Sequence, residues 1–260
     1  MLLSLVVPVY REEKNVPEFL RRVRPILGAI TEDYEVIFAL DPSPDRTEEV
    51  ILEARAEDPR IKLLRFSRRF GQPMATLAGL QYSAGEAVVV MDVDLQDPPE
   101  LIPELVAAWQ RGAQVVRAVR RSRAEQGLRR LGFDLFHRMF GALSDHPIEP
   151  NTGTFGLLGP AAVEAFNALP EHHRFFPGLR SWIGFPTADV TYDRRERAAG
   201  RPQQTLRRLV RYGLDGVFSF SHLPLRMVTY AGMLVACLGF AAGLFFVLWR
   251  LLDFERSPTG

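Results

Sequence analysis

Asp92, Asp94 and Gln96 stand at alternate positions directly after an apolar run from Ala87 to Met91. Two carboxylates and an amide oxygen at that spacing suit a hard divalent cation, which takes oxygen ligands and shares them with phosphate. The chemistry this predicts is a metal that holds a nucleotide diphosphate. An Asp at a strand end also caps helices, which gives the cluster a purely structural reading. Asp97 fits that reading, with Pro98 at the first helical position and Glu100 as the other half of a capping box. On that assignment Asp92 and Asp94 are left for metal and phosphate.

The elements that must position these groups alternate between strand and helix over the first ~120 residues, which predicts a mostly parallel sheet with helices on its faces. Strands are expected at 3–7, 34–40, 61–66, 87–91 and 114–119. Helices are expected at 15–27, from Ser43 and Pro44 to before Pro59, at 73–84 and at 98–110. Polar residues cluster just after the strands: Pro8, Tyr10 and Glu12, then Asp41, then Arg68 and Arg69, then Asp92 and Asp94. Ligands of open α/β sheets bind beyond the carboxyl ends of the strands, so four separate segments are expected to meet in one crevice. There is no Gly-x-Gly-x-x-Gly after the first strand and no Gly-Lys-Ser/Thr loop, which disfavours a dinucleotide-binding dehydrogenase and a P-loop NTPase. Without a glycine cradle for the diphosphate, a metal assisted by arginines is the natural substitute.

At 260 residues the chain is one large domain or one domain with an appendage. Its hydrophobic content of 47% supports a sizeable core, and a net charge of +1 gives no field for nucleic acid. The lone cysteine, Cys237, forms no internal disulfide. Leu2 to Val7 is too short for a signal peptide and has no basic leader. Met227 to Trp249 is different: 23 residues without a charge, between Arg226 and Arg250. As a helix it would span roughly 34 Å, enough to cross a bilayer core. Between Arg194 and Arg226 there are eight Arg against two acids, Glu196 and Asp215. Leu206, Leu209, Val210, Leu214, Val217 and Phe218 follow helical spacing there, which predicts a basic helix lying in the membrane interface. Packing of that stripe on the globular part is the competing structural reading. The expected layout is 1–200 catalytic, 201–226 interfacial, 227–250 transmembrane and 251–260 a tail.

Four ordered motifs now carry a resemblance: Pro8-Val9-Tyr10-Arg11-Glu12-Glu13, Asp41-Pro42-Ser43-Pro44-Asp45-Arg46-Thr47, Phe70-Gly71-Gln72 with Ala78-Gly79-Leu80, and Met91 to Glu100. The chain resembles family 2 glycosyltransferases of the polyprenyl-phosphate type, such as dolichol-phosphate mannose synthases and bacterial undecaprenyl-phosphate sugar transferases. The likeness runs on through Asn151 to Phe155, Ser181 to Phe185, Arg197 to Gly200, and Leu214-Asp215-Gly216 with Ser219-Phe220-Ser221. The resemblance implies a GT-A fold, a nucleotide-sugar donor, Mg2+ or Mn2+, inversion at the anomeric carbon and a polyprenyl phosphate acceptor. By position Pro8, Tyr10, Glu12, Ala39 and Asp41 would line the nucleoside pocket. Asp92, Asp94 and Gln96 would hold metal and diphosphate, with Val93 counted in the donor site. Arg120 and Arg129 match basic residues near the phosphates, and Arg197 matches the arginine of an Arg-x-x-Gly-x-Ser-Lys segment. Membrane lipids are the expected surroundings, self-association is left open, and the catalytic part is expected on the cytoplasmic face. Many bacterial relatives carry a second membrane helix beyond the point where this chain stops, at Gly260.

Several positions depart from the family pattern. Leu40 replaces the first Asp of Asp-Asp-Gly-Ser and Pro42 its Gly, while Gln203 stands where a Lys is expected. Thr154 stands where many relatives have Asp, so the base is left open, with Glu149 and Asp145 as local candidates. Two rival functions follow: a transferase with a saccharide or other hydroxyl acceptor, and an inactive nucleotide-binding scaffold on the membrane. Absence of a Gln-x-x-Arg-Trp string counts against the first, and the intact Asp92, Asp94 and Gln96 against the second. His172 and His173 are adjacent and share no helix face, so they are a poor ligand pair. Phe175, Phe176, Trp182 and Phe185 are read as packing residues, and His137 and His146 have no identifiable partner.

Overall fold

The computed structural model describes residues 1–121, 152–170, 176–193 and 223–252. Strand β1 (Leu3–Val9) is buried at every position, as its unbroken apolar run requires of a strand covered on both faces. It is followed by α1 (Asn15–Ile30), β2 (Tyr34–Leu40), α2 (Thr47–Glu57), β3 (Ile61–Arg65), α3 (Gln72–Tyr82) and β4 (Ala87–Val90). A 3-10 turn (Pro99–Leu101) leads into α4 (Ile102–Gln110), then β5 (Val115–Arg120), β6 (Thr152–Leu158), α5 (Pro160–Ala168), α6 (Phe176–Trp182), β7 (Thr187–Tyr192) and α7 (Leu223–Leu252).

The seven strands form one sheet in the order β3-β2-β1-β4-β6-β5-β7. β1 pairs in parallel with β2 on one side and β4 on the other, and β6 runs antiparallel to both β4 and β5. The chain therefore builds outward from β1 to β3 and then returns to β1's other side. That reversal opens a crevice at the carboxyl ends of β1 and β4, where ligands of such sheets bind.

Alternation along the strands divides the core in two. Leu5, Val7 and Val9 face Phe19, Val23 and Leu27 of α1 and Leu105 of α4, whereas Val6 and Val90 face Leu77 and Leu80 of α3 and Phe166 of α5. α3 lies hard against β1, since a Cβ on Gly79 would come within 2.1 Å of Val6 Cγ1. The glycine of the Ala78-Gly79-Leu80 motif is thus explained by packing.

Two boundaries differ from expectation for a physical reason. α2 starts at Thr47, not Ser43, because Asp45 Oδ1 accepts hydrogen bonds from the Ser43 and Thr47 hydroxyls and the Thr47 amide. The helix after β4 starts past Pro98, whose backbone is extended, and no side chain caps it. The predicted capping box is absent, for Glu100 instead pairs with Arg22 of α1 at 2.5 Å.

α7 begins four residues before the predicted span and is long and apolar enough to cross a membrane. Its described side chains, 226–252, are exposed throughout, so it is not a core helix among the described residues. Of the predicted interfacial segment 201–226, residues 201–222 lie outside the described residues and 223–226 belong to α7.

Candidate active site

The loops at the mouth of the crevice are stitched together by short polar side chains. Arg11, in the left-handed region at φ 60°, donates its amide to Ser43 Oγ at 2.8 Å, and the Glu12 amide donates to Thr47 Oγ1 at 2.8 Å. The Arg46 amide returns to Glu13 Oε2 at 2.9 Å. Burial works against the charge of Asp45, but hydrogen bonds from Ser43, Thr47 and the Glu13 amide outweigh it and hold the carboxyl below its usual range. Glu12 accepts from Asn15 Nδ2 at 2.5 Å and, through its carbonyl, from the first amides of α1. Pro8 and Ala39 are buried register partners on β1 and β2, so they form the floor of this end. Tyr10 lies above them, with the Arg69 guanidinium stacked on its ring at 3.8 Å.

Asp41, at the end of β2, is buried and anchors the loop that precedes α3. Its two oxygens accept the amides of Phe70 at 2.9 Å and Gly71 at 2.8 Å. Gly71 has φ +89°, a conformation that favours glycine. The next residue, Gln72, donates its side-chain amide to Asp92 Oδ1 at 2.7 Å.

Beyond β4 the chain turns sharply. Asp94 Oδ1 accepts the Gln96 amide at 3.2 Å across Leu95, which sits at φ 57° with its side chain in the core. A non-glycine residue held there costs of order 1–3 kcal/mol, and such strain gathers at functional sites. Val93, predicted in the donor site, also sends its side chain into the core. Asp92, bonded to Gln72, and the buried Asp94 belong to this turn at the end of β4. Burial, with the charges of Asp97 and Asp94, pushes the Asp92 pKa up to about 7; Arg120 and Gln72 act the other way.

Asp97 is the main correction. It does not cap a helix but lies buried, accepting a hydrogen bond from the Tyr192 hydroxyl of β7 and standing 3.6 Å from Arg120 Nη2. Arg120 Nε donates to the same Tyr192 oxygen at 3.0 Å. Burial disfavours the Arg120 charge, yet Asp97 and Tyr192 outweigh it and raise its pKa. Burial and the neighbouring Asp97 push the Tyr192 hydroxyl well above its ordinary value. Among the described residues, the charges of Asp94 and Asp97 act on Asp92, a concentration of negative charge that a divalent cation would offset. Among the described residues no group of three His, Cys, Asp or Glu side chains forms a ready cage. Asp92 and Asp94 with the Gln96 amide oxygen could supply two carboxylates and an amide, a set that phosphate oxygens would complete.

A glycosyl transferase family 2 model matches residues 4–160 of the chain. The chain belongs to that family. A bactoprenol glucosyl transferase of Shigella phage SfV is 40% identical over 254 residues, covering 97% of this chain and 81% of the relative. A glycosyltransferase of Bacillus subtilis (strain 168), YkcC, described as uncharacterized, is 39% identical over 99% of this chain and 80% of its own length. Among solved structures, glucosyl-3-phosphoglycerate synthase from Mycobacterium tuberculosis in complex with Mn2+, uridine-diphosphate and phosphoglyceric acid aligns with a TM-score of 0.57. It covers 83% of this chain and 78% of that one at 20% identity. At that identity the likeness speaks to the GT-A fold, which this sheet order and its single antiparallel strand build.

Two departures from the family pattern lie among the described residues at the end of β2. Leu40, in place of an Asp, is buried in the core behind Asp41. Pro42 begins the segment whose Ser43, Asp45 and Thr47 tie α2 to the β1 loop. Thr154 lies on β6, partly buried, near the crevice end of the strand. Arg129, Arg197 and Gln203 lie outside the described residues, as do Asp145, Glu149, His172 and His173. Asp97 and Tyr192 were missed by sequence reasoning. The one local signal was an Asp before two prolines, which also reads as a helix cap.

Proposed function

We propose that this chain is an inverting glycosyltransferase that moves glucose from a nucleotide-sugar donor to undecaprenyl phosphate at the cytoplasmic face of the membrane. The observation that carries the reading is the near full-length kinship with bactoprenol glucosyl transferases, together with the acidic cluster at the switch point of the sheet. A saccharide acceptor is not favoured by those relatives.

In this reading Asp41, Tyr10, Pro8, Ala39 and Glu12 shape the nucleoside end of the crevice. Asp92 and Asp94, with the Gln96 amide oxygen, would hold Mg2+ or Mn2+, which when bound supplies charge neutralisation on the diphosphate. Arg120, kept charged by Asp97 and Tyr192, faces the charge that grows on the leaving diphosphate. An oxygen of the lipid phosphate forms the new bond to the anomeric carbon from the opposite side. The bond to the diphosphate breaks, and its electron pair leaves with the nucleotide. That phosphate oxygen is already anionic near neutral pH, so Thr154 in place of a carboxylate does not block the step.

The apolar α7 supports a membrane anchor, and the eight arginines between Arg194 and Arg226 support a cytoplasmic catalytic side by the positive-inside rule. The test is a donor screen with several nucleotide sugars, Mn2+ and a short polyprenyl phosphate. Metal-dependent formation of a glucosyl lipid is expected. Donor hydrolysis without a glycolipid, or transfer only to saccharides, would overturn the reading.

A further inference from the structure

Arg180 is 1% exposed on α6, and among the described residues it makes no ion pair. Burial and the charge of Arg117 lower its pKa to about 9, with Asp189 opposing. Its Nε has no hydrogen-bond partner among the described residues. Burying a guanidinium this way is costly, and an apolar side chain would fill the space without that cost. Its remaining contacts show what it does for the fold.

β5 and β6 fall out of register beside it. Arg117 pairs with Gly156 and then Val119 with Thr152, so two residues along β5 (117 to 119) match four along β6 (156 to 152). On the other side, the last β4 partner of β6 is Gly156. Residues 153–155 thus bulge out of the β5 ladder and lie past the end of β4. Arg180 takes up the carbonyls this exposes: Nη2 donates to Gly153 O at 3.1 Å and Nη1 to Phe155 O at 3.4 Å. Those carbonyls flank Thr154. A Cβ on Gly156 would lie 2.9 Å from Arg180 Nη1, so the missing side chain leaves room for the guanidinium. On the facing side, a Cβ on Gly153 would lie 2.9 Å from Arg120 Nη2. The bulged backbone is therefore the wall against which Arg120 rests. Bulges beside active sites re-aim side chains in this way.

We propose that Arg180 is a positioning residue that clamps the β6 bulge and so fixes where Arg120 meets the donor diphosphate. This rests on the functional reading above, in which Arg120 stabilises the leaving group. Arg180 touches no reacting atom, and its effect passes through Gly153.

The test uses the full chain in lipid nanodiscs, comparing Arg180→Met and Arg180→Lys with the wild type. Without any substrate, amide hydrogen exchange in residues 152–158 should rise in Arg180→Met, while β1 and β2 stay protected. With donor, metal and polyprenyl phosphate, kcat should fall by about tenfold or more while donor KM moves little, as expected of a displaced catalytic contact. Arg180→Lys, with one donor group in place of two, should fall between. In an Arg120→Ala background the Arg180→Met change should cost little further, because both act on one contact. If Arg180→Met does not fold, Arg180→Lys serves the same comparisons. Wild-type exchange and kcat in the variants, loss of protection across the whole sheet, or full additivity with Arg120→Ala would each overturn the proposal. Absence of sugar transfer by the wild type would sink the functional reading alone, since exchange at the bulge is read without substrate.

Discussion

The Tyr192 hydroxyl is hydrogen-bonded to Asp97, 95 residues earlier, and that same oxygen accepts Nε of Arg120. The phenol bridges a carboxylate and a guanidinium that stand 3.6 Å apart. Tyr192→Phe keeps the ring, which packs edge-on against Phe155 with centroids 6.0 Å apart, and removes only the oxygen. Stability should drop by about 1–3 kcal/mol, because Asp97 and Arg120 each lose a partner in a buried setting. Turnover should fall more than donor affinity, and thermal melts beside steady-state kinetics would show both effects. Unchanged turnover would remove Tyr192 from the site.

Asp94→Ala should abolish sugar transfer and metal-dependent donor binding while leaving the fold intact. Loss of one contact made chiefly in the transition state commonly costs on the order of 10²-fold or more in rate. Calorimetry with Mn2+ and donor checks the binding half of this expectation. Near-normal turnover at saturating metal would place the metal elsewhere.

Asp41→Ala should weaken free nucleotide diphosphate about as much as the whole donor, since the change lies at the nucleoside end. It should also lower stability by about 1–3 kcal/mol, because the Phe70 and Gly71 amides lose their acceptor. Equal nucleotide affinity in variant and wild type would confine Asp41 to its structural duty.

Glu35 gives the fold an acid sensitivity far from the crevice. It is buried at the start of β2, bonded to the Ser4 hydroxyl, the Lys62 ammonium and the Ala84 amide, the last at 2.8 Å. Burial raises its pKa, but those three partners together outweigh burial and bring it below the usual 4.5. A depressed carboxyl stabilises the fold above its unfolded pKa and loses that contribution as pH falls through the folded value. Glu35→Gln should cost about 1–3 kcal/mol at pH 7. Denaturant melts from pH 7 downward should show the gap to wild type closing in the acid range. A gap independent of pH would mean that the charge contributes nothing.

The parallel half of the sheet was legible because β1, β2 and β4 are apolar runs buried on both faces, and their ends announce themselves with Pro8, Asp41 and Asp92. Asp97 was misread because Asp-Pro-Pro-Glu satisfies a local helix-start pattern. Its actual partners arrive from β5 and β7, which no local window contains. β6 and β7 escaped for a related reason: Thr152-Gly153-Thr154 is weak strand material, and β7 alternates with an exposed outer face at a sheet edge. Arg180 belongs to no motif that the sequence singles out. Only the slipped register of β5 and β6 shows what it holds.

Phe70, Gly71 and Gln72 are consecutive, and between them they grip carboxylates from two different strand ends. The first two hold Asp41, and the third holds Asp92. A base or ribose that drew on Asp41 would therefore pull on the two residues joined directly to Gln72, which orients Asp92. Binding energy gained at the far end of a donor can in this way be spent at the reacting end. A sugar diphosphate stripped of its nucleoside should accordingly react slowly even when saturating, as well as bind weakly.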